Sequence, residues 1–446
     1  LGSLYDSLPH DCDDAMTPGE AHAALRTLAA LSKSRPVHID LLDGRDGLQL
    51  RFLCRGLTLS LSAVMPMLEH FGFEVLRERS LPFKDGRHAI YQYRIEHPSI
   101  VAAADYDAET LIEALEGILT GRISNDPFNQ MIVSAGIGWR EVSMLRAYAA
   151  YIKQAGLGFD TLFLTTTLNK HPQVTRTLVA HFTARFDPSR AEVPQTNVEN
   201  LLGSIERINE DRAFRKLFEL VDATVRTNFF QRIGDEVPAN LAFKLIPRLI
   251  DGLPKPLPAV ETFVFGAAVE GVHLRSSQVA RGGIRWSDRS EDYRTEILDL
   301  MKTQVVKNAV IVPSGAKGGF FVKDPDIAPQ PGLACYRMFI GCLLDITDNI
   351  VAGEVVPPAG VRRYDGDDPY LVVAADKGTA TFSDEANALA QQRGYWLADA
   401  FASGGATGYD HKKMGITARG AWVSVVHHLQ RRGLDAQADA VTTVGI

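Results

Sequence analysis

Three prolines alternate with other residues across 253–258, and this short segment limits the fold of the chain more than any other feature. Each proline fixes its own φ angle and restricts the residue before it, so the segment is predicted to be extended. Before it, across 107–249, apolar residues recur mainly with the period of a helix. After it, strand-like and helix-like stretches alternate. The sequence therefore predicts a helical domain at 101–253 and a separate α/β domain at 254–446.

Patterns typical of a smaller module occupy the first hundred residues. Residues 48–54 alternate as a strand does, apolar residues recur at helical spacing across 62–71, and alternation resumes two residues later. A further strand is predicted at 90–95. These patterns predict an α+β module with a βαβ unit at 36–100, preceded by an N-terminal segment at 1–35.

Composition excludes several classes of protein. Hydrophobic residues make up 46% and charged residues 23% of the chain, which is typical of a soluble globular protein. The length of 446 residues favours about three domains of roughly 150 residues each. A formal net charge of -7 argues against a nucleic-acid partner. No apolar stretch approaches the length that spans a membrane, so no membrane partner is predicted.

Cysteine usage indicates a reducing compartment. The four cysteines, Cys12, Cys54, Cys335 and Cys342, show no CxxC spacing, and the chain starts without an export signal, so we expect a cytoplasmic protein. Cys335 and Cys342 have the spacing of one helix face, so we expect buried packing, and no metal site is predicted. The chain begins without methionine and ends after a strand-like run at 441–444, so we expect it to be a piece of a longer protein.

Cations and one carboxylate are concentrated near predicted strand ends in the second half of the chain. Arg281 precedes two glycines, Lys317 lies in a glycine-rich turn, and Asp376 follows the apolar run 370–375, which is typical of a strand covered on both faces. A site that holds a dicarboxylate and moves protons needs fixed cations and a lysine of adjustable proton affinity. Spacing alone leaves alternatives open, because such a lysine is commonly a surface residue and such an aspartate can simply cap a turn.

The elements around these residues follow from the same patterns. A helix is predicted with Ser290 as its N-cap and with Tyr293 and Ile297 on its apolar face. Lys307 falls on that face at the end of the helix, where it binds either an internal carboxylate or a substrate. Further predicted elements are strands at 262–269, 309–312 and 441–444, a helix from Ser383 to Arg393, and a helix capped by Thr417 with Trp422 and Val425 on its apolar face.

Four strings in this half of the chain resemble a known family. They are Val279–Arg289, Val306–Gly319, Ala375–Asp384 and Gly408–Gly420. Together with Gly138–Val142 and Arg226–Asn228 upstream, they look like the large bacterial NAD-specific glutamate dehydrogenases. The module at 36–100 is similar to the ACT-type domains of that family.

The resemblance implies roles for particular residues. Lys317 resembles the lysine that activates water and polarises the imine carbon, and Asp376 resembles the carboxylate that carries protons to and from the amino group. Lys307 resembles the lysine that binds the substrate α-carboxylate. The substrate side-chain position, where the smaller glutamate dehydrogenases have a lysine followed by two glycines, is taken here by Arg281, Gly282 and Gly283.

The resemblance also implies a cofactor and partners. The region 254–446 is similar to the substrate-binding domain of amino-acid dehydrogenases, and a Rossmann domain for NAD would begin at about residue 440. Thr417 resembles the threonine near the nicotinamide amide, and Gly445 stands where a dinucleotide fingerprint would start. The implied substrates are glutamate, 2-oxoglutarate and ammonium, and the implied assembly is a homo-oligomer.

Three functional alternatives remain at this stage. The first is oxidative deamination of glutamate with NAD, and the second is a dehydrogenase of another amino acid, because proton chemistry at Lys317 and Asp376 does not select a side chain. The third is a regulatory or assembly fragment without activity of its own. In the first two, the cations Lys307 and Arg281 are expected to weaken proton binding at Lys317, and Asp376 is expected not to form a tight ion pair with it.

Overall fold

The computed structural model of the chain describes residues 2–8, 16–44, 47–97, 107–190, 198–232, 234, 236–307, 314–404 and 414–442, with the backbone alone at 2–3, 305–307 and 417. The helices of these residues are α1 (Gly2–Asp6), α2 (Pro18–Ala30), α3 (Leu61–His70), α4 (Ala108–Leu119), α5 (Gln130–Ser134), α6 (Trp139–Gln154), α7 (Thr161–Lys170), α8 (Pro172–Phe186), α9 (Val198–Leu202), α10 (Ile208–Ala223), α11 (Tyr293–Lys307), α12 (Pro331–Asp345), α13 (Ser383–Gln392) and α14 (Ile416–Gln430). The strands are β1 (Val37–Gly44), β2 (Gly47–Arg55), β3 (Glu74–Pro82), β4 (His88–Glu96), β5 (Thr224–Thr227), β6 (Leu241–Leu245), β7 (Val260–Phe265), β8 (Val269–Arg275), β9 (Ala280–Ser287), β10 (Ser314–Val322), β11 (Asn349–Val351), β12 (Glu354–Val356), β13 (Val372–Ala375) and β14 (Ala402–Ser403).

The N-terminal module is a four-stranded antiparallel sheet with the order β1-β2-β4-β3. Leu50 and Phe52 of β2 are fully buried, and they share one apolar core with Val64 and Leu68 of α3. The helix lies on this sheet because its apolar residues recur at helical spacing and can cover the apolar face. The predicted strands at 48–54 and 90–95 and the helix between them are confirmed. The sequence prediction misses β1.

A helix from the predicted N-terminal segment packs on the other face of this sheet. The helix α2 begins after Thr17, whose hydroxyl accepts a hydrogen bond from the Glu20 amide while the Glu20 carboxylate accepts one from the Thr17 amide. This capping box satisfies backbone N–H groups that the helix leaves free. Leu25 and Leu28 of α2 are buried in a cluster with Leu53 of β2. The segment before residue 36 therefore contributes to the core of the module.

The middle of the chain is helical, as predicted, up to the end of α10. Two strands then follow, β5 and β6, where the sequence pattern indicates helix. The strand β5 starts at Thr224 with no glycine or proline between it and the preceding helix, so the sequence carries no stop signal. Three of its four residues are β-branched, and such side chains favour strands.

The second half of the chain is built on an eight-stranded sheet with the order β14-β13-β9-β10-β8-β7-β6-β5. From β5 to β10 the neighbouring strands are antiparallel, whereas β10, β9, β13 and β14 are mutually parallel. The predicted domain boundary at 253–258 lies in the connection between β6 and β7. These two strands pair directly, with Leu241 opposite Phe265.

Helices cover both faces of the central strands. On one face, Ile297 of α11 lies so close to Gly319 that a Cβ on the glycine would overlap its Cδ1 atom and lie 2.7 Å from its Cγ1 atom. On the other face, the Phe339 ring of α12 lies 2.7 Å from the position that a Cβ on Gly271 would take. The strand glycines therefore let both helices approach the sheet closely. Cys335 and Cys342 of α12 are buried in this packing, as predicted.

Four predicted elements differ from the structure. The strand predicted at 262–269 is two antiparallel strands, β7 and β8, joined by a turn in which the Gly266 amide donates to the Val269 carbonyl at 2.8 Å. The helix predicted from Ser290 starts three residues later. Phe382 rather than Ser383 is the N-cap of α13, because the Ser383 hydroxyl donates to the Ser403 carbonyl instead. Gly415 rather than Thr417 is the N-cap of α14.

The C-terminal part is only partly described. The helix α14 confirms the predicted helix, but Trp422 and Val425 of its predicted apolar face are exposed. Val441 and Thr442, the two described residues of the strand predicted at 441–444, are not in a strand. The strand predicted at 309–312 lies outside the described residues. No helix in the described ranges is both long and apolar enough to cross a membrane.

Buried ion pairs hold α11 and the segment after α12 to the sheet. The Arg294 guanidinium of α11 donates to both oxygens of Glu261 on β7 at 2.7 Å, and both side chains have no exposed surface. The Arg226 guanidinium of β5 likewise donates to both oxygens of the buried Asp348. Gln154, at the end of α6, donates to the Ser290 carbonyl at 2.8 Å. The contacts of Arg294 and Gln154 fix α11 against the sheet and against α6, and the contact of Arg226 fixes β5 to the segment after α12.

Candidate active site

Strand register brings the two predicted catalytic residues together. The strand β9 lies between β10 and β13 and runs parallel to both, and its Ile284 is opposite Gly318 of β10 and Ala375 of β13. Gly318, Ile284 and Ala375 thus form one row across the three strands. Lys317 is the residue before this row on β10, and Asp376 is the residue after it, directly behind β13. The Lys317 ammonium donates a hydrogen bond to Asp376 Oδ2 at 2.6 Å.

Lys317 lies in the middle of β10, so the predicted turn is wrong. Its neighbours Gly315, Gly318 and Gly319 are strand residues paired with β9, and Gly318 and Gly319 also pair with β8. They serve close packing rather than unusual torsion angles, because side chains of adjacent elements occupy the space beside each of them. At Gly315 this side chain is Gln304 of α11, whose Cγ lies 3.0 Å from the position of a Cβ.

Asp376 stands at the carboxyl end of a parallel strand, as predicted. The strand β13 is shorter than the apolar run 370–375, and it is not covered on both faces, because Val373 is buried while Val372 and Ala374 are partly exposed. Asp376 continues the partly exposed face. The side chains of Lys317 and Asp376 are 19% and 15% exposed, so a small ligand can reach a pair that is otherwise surrounded by protein.

Donors surround the Asp376 carboxylate on both oxygens. Oδ1 accepts from the Lys377 amide at 2.7 Å and from Arg285 Nη2 at 3.4 Å, while Oδ2 accepts from Lys317. Burial raises the pKa of the Asp376 carboxyl, but the hydrogen bond from Lys317, the amide hydrogen bond and the charges of Lys317 and Arg285 outweigh it and lower the pKa below its ordinary value. Asp376 is therefore ionised at neutral pH.

The sequence predicts that Lys317 and Asp376 do not form a tight ion pair, and this prediction is wrong. The reason is the glycine between them. Gly283 of β9 has no side chain, so the lysine of β10 can reach across β9 to the carboxylate that follows β13. A Cβ on Gly283 would lie 2.9 Å from Asp376 Oδ2. Gly282 faces the opposite way, towards the backbone of Ala316.

The remaining predicted site residues have different outcomes. Arg281 lies two residues before Gly283 on the same face of β9, and it is exposed. Lys307 is the last residue of α11, and Thr417 lies in the first turn of α14. The side chains of these two residues and the whole of Gly445 lie outside the described residues. Substrate and cofactor contacts by them stay predictions.

Two charged residues of this site, Arg285 and Glu296, are not among the predicted site residues. Arg285 Nη1 donates to Glu296 Oε1 on α11 at 2.8 Å, and the Ser287 hydroxyl donates to Glu296 Oε2 at 2.6 Å. Side chains alternate between the two faces of a strand, so Arg281, Gly283 and Arg285 lie on one face. This alternation could have indicated Arg285 as a site residue. Nothing in the local sequence indicates that Glu296 contacts it. No cluster of three or more metal-binding side chains occurs among the residues whose placement is described.

The close fit at Gly283 makes a sharp prediction. We expect Gly283→Ala to lower turnover of the full-length protein about 10- to 100-fold, because the new methyl group displaces the Asp376 carboxylate and small misplacements of catalytic groups have effects of this size. Steady-state kinetics measures it. Gly19→Ala is the matched control, since a Cβ there meets no atom within 4 Å. Normal turnover of Gly283→Ala would show that Asp376 need not hold the observed position.

Comparison with known proteins agrees with this architecture. A sequence model described as the catalytic domain of bacterial NAD-glutamate dehydrogenase matches residues 197–446, which is more than half of the chain. Models described as glutamate dehydrogenase helical motif 3 and glutamate dehydrogenase ACT3 domain match residues 123–188 and 37–107. The chain belongs to the bacterial NAD-dependent glutamate dehydrogenase family.

Individual relatives are similar over the whole chain. The NAD-specific glutamate dehydrogenases of Halomonas elongata and Pseudomonas aeruginosa are each 46% identical to it over 100% of its length, and the chain covers 29% of each relative. A solved glutamate dehydrogenase from Peptoniphilus asaccharolyticus is 17% identical, with a TM-score of 0.27 and 44% of each chain covered. A likeness at this level carries no argument about the site.

Proposed function

We propose that the full-length protein containing this chain oxidises L-glutamate to 2-oxoglutarate and ammonia with NAD as hydride acceptor. The observation that carries the proposal is the contact of 2.6 Å between Lys317 Nζ and Asp376 Oδ2, whose side chains are both partly exposed. The sequence similarity to NAD-specific glutamate dehydrogenases supports the substrate and the cofactor. A cytoplasmic homo-oligomer is proposed from the same similarity.

The two residues can move the protons that this reaction requires. When bound, NAD would accept the hydride from Cα of glutamate after the α-ammonium group has lost a proton, which leaves an iminium. Water must then add to the iminium carbon and lose a proton, and the amino group must gain one to leave as ammonia. A proton can pass over 2.6 Å between Lys317 and Asp376, so either group can present a basic atom. Once the pair has released one proton to solvent, Lys317 takes the proton from water and Asp376 carries it to the departing nitrogen. As the C–N bond breaks, the hydroxyl of the addition product loses its proton and becomes the ketone oxygen.

Cations around this pair can hold the two carboxylates of the substrate. Arg281 and Lys307 are proposed for this role, with Gly282 and Gly283 leaving room beside them. Arg281 is exposed on the face that carries Lys317. An arginine at this position can bind a carboxylate through two parallel hydrogen bonds. Thr417 and Gly445 are proposed cofactor contacts, on the sequence resemblance alone.

A dehydrogenase acting on a different amino acid is the second candidate. The observation that favours it is the exposed position of Arg281, because none of the described hydrogen bonds or ion pairs holds its guanidinium towards a particular substrate group. The proton chemistry of Lys317 and Asp376 would be the same for any amino-acid side chain. Substrate preference therefore separates the two candidates.

We expect the full-length protein to prefer glutamate over leucine by at least about 100-fold in kcat/KM, because a site with cations for a side-chain carboxylate discriminates strongly against an apolar analogue. The measurement is NADH formation, followed by absorbance, with each amino acid at several concentrations. Equal or greater efficiency with leucine would reject glutamate as the substrate while leaving the catalytic pair in place.

A further inference from the structure

A line of alternating charges continues from Asp376 to the helix that covers the site. Lys317 donates to Asp376 at 2.6 Å, Arg285 donates to Asp376 at 3.4 Å and to Glu296 at 2.8 Å, and Ser287 donates to Glu296. Arg285 thus lies between two carboxylates, and its guanidinium can be drawn towards either. Its longer contact is the one with Asp376.

The position of Glu296 is itself fixed. It lies in the first turn of α11, two residues after Arg294, whose guanidinium is buried against Glu261 of β7. The side chains of Arg285 and Glu296 are mostly buried, so the charges are screened by water less than those of a surface pair. The helix therefore determines where the Arg285 charge lies relative to the catalytic pair.

We infer that Arg285 is a positioning residue that holds the Asp376 carboxylate by Oδ1 and competes with Lys317 for its charge, and that Glu296 sets the strength of this competition. The inference rests on the proposed function of Lys317 and Asp376. Arg285 reaches Oδ1, so Oδ2 stays directed to Lys317. Its positive charge also opposes the ammonium of Lys317, because two cations near one carboxylate share its attraction.

Removing the charge of Arg285 and removing the charge of Glu296 have opposite consequences for the Lys317–Asp376 pair. Without the Arg285 charge, Asp376 attracts the Lys317 ammonium alone, and the pair releases its proton at higher pH. Without the Glu296 charge, Arg285 acts fully on Asp376, and the pair releases its proton at lower pH. Lys377, next in sequence to Asp376, and Arg281, on the same face of β9 as Gly283, are not altered in these two changes.

The test is the pH profile of kcat for the full-length protein with Arg285→Gln and Glu296→Gln. For Arg285→Gln we expect the acid limb to move up by about one pH unit, and for Glu296→Gln to move down, since a charge within about 4–6 Å shifts a titration by this amount. Arg215→Gln is the control, because its side chain pairs on the surface with Glu199, away from Asp376 and Glu296, and it leaves the limb unchanged.

Arg285→Lys separates charge from geometry. Lysine keeps the charge but lacks the planar fork that contacts two carboxylates, so we expect the limb to return towards its original pH while kcat stays about 10-fold reduced. Shifts of both glutamine variants in the same direction, or no shift in either, would overturn the inference. The proposed function fails separately, when the unaltered protein does not oxidise glutamate at any pH.

Discussion

Replacing Lys317 by alanine in the full-length protein is expected to lower glutamate-dependent NADH formation by about 10³-fold or more, within the range for loss of a general acid–base group. Glutamate should still bind, because its carboxylates are proposed to contact Arg281 and Lys307 instead. Steady-state absorbance measures turnover, and calorimetric titration measures binding of glutamate. The effect should lie in kcat, with a small change in the dissociation constant.

A matched control separates the effect of losing Lys317 from the effect of losing a lysine elsewhere on the protein. Lys302 lies on α11, is 39% exposed and pairs with Asp299 at 2.8 Å, so Lys302→Ala should leave turnover unchanged. Near-normal turnover of Lys317→Ala would refute the catalytic assignment. Loss of glutamate binding together with turnover would indicate that Lys317 binds the substrate rather than acting in proton transfer.

Arg294→Met is expected to lower the free energy of unfolding of the chain by about 3–5 kcal/mol, the usual effect of removing one partner of a buried ion pair. The carboxylate of Glu261 has no exposed surface and accepts from Arg294 with both oxygens at 2.7 Å. Methionine fills much of the volume but leaves this charge without its cation. Urea unfolding followed by circular dichroism measures the change.

Two further variants show whether the pair acts through charge. Arg289→Met removes an arginine just before the same helix, but its pair with Asp292 is exposed, so the change should stay below about 1 kcal/mol. The double variant Glu261→Leu with Arg294→Met removes both charges and should recover most of the lost stability. A double variant that is less stable than Arg294→Met would contradict this explanation.

Local patterns in the sequence predict a good part of the fold. Strand β2 and helix α3 follow from periodicity, and the buried face of α11 follows from Tyr293 and Ile297, which are both fully buried. The carboxyl-end position of Asp376 follows from the apolar run before it, whereas its proximity to Lys317 depends on β9, which lies between their two parallel strands. These features depend on side-chain spacing within one element, or on a general property of parallel sheets.

Other features depend on contacts that no local pattern contains. The glycines around Lys317 indicate a turn when they are considered alone, but they serve as space for side chains of α11 and β9. Asp376 and Arg285 are 91 positions apart in sequence, and Arg285 and Glu296 are joined only because α11 folds back onto β9. The ion pair at Lys317 likewise needs the missing side chain of Gly283.

The central claim is that Lys317 and Asp376 act as one proton-transfer unit, and a double-mutant cycle on kcat of the full-length protein tests it most directly. Lys317→Ala and Asp376→Asn should each lower kcat by about 10²- to 10⁴-fold, and the double variant should be no more than about threefold slower than the slower single variant. A double variant whose loss equals the product of the two single losses would contradict the claim. So would nearly full activity of either single variant.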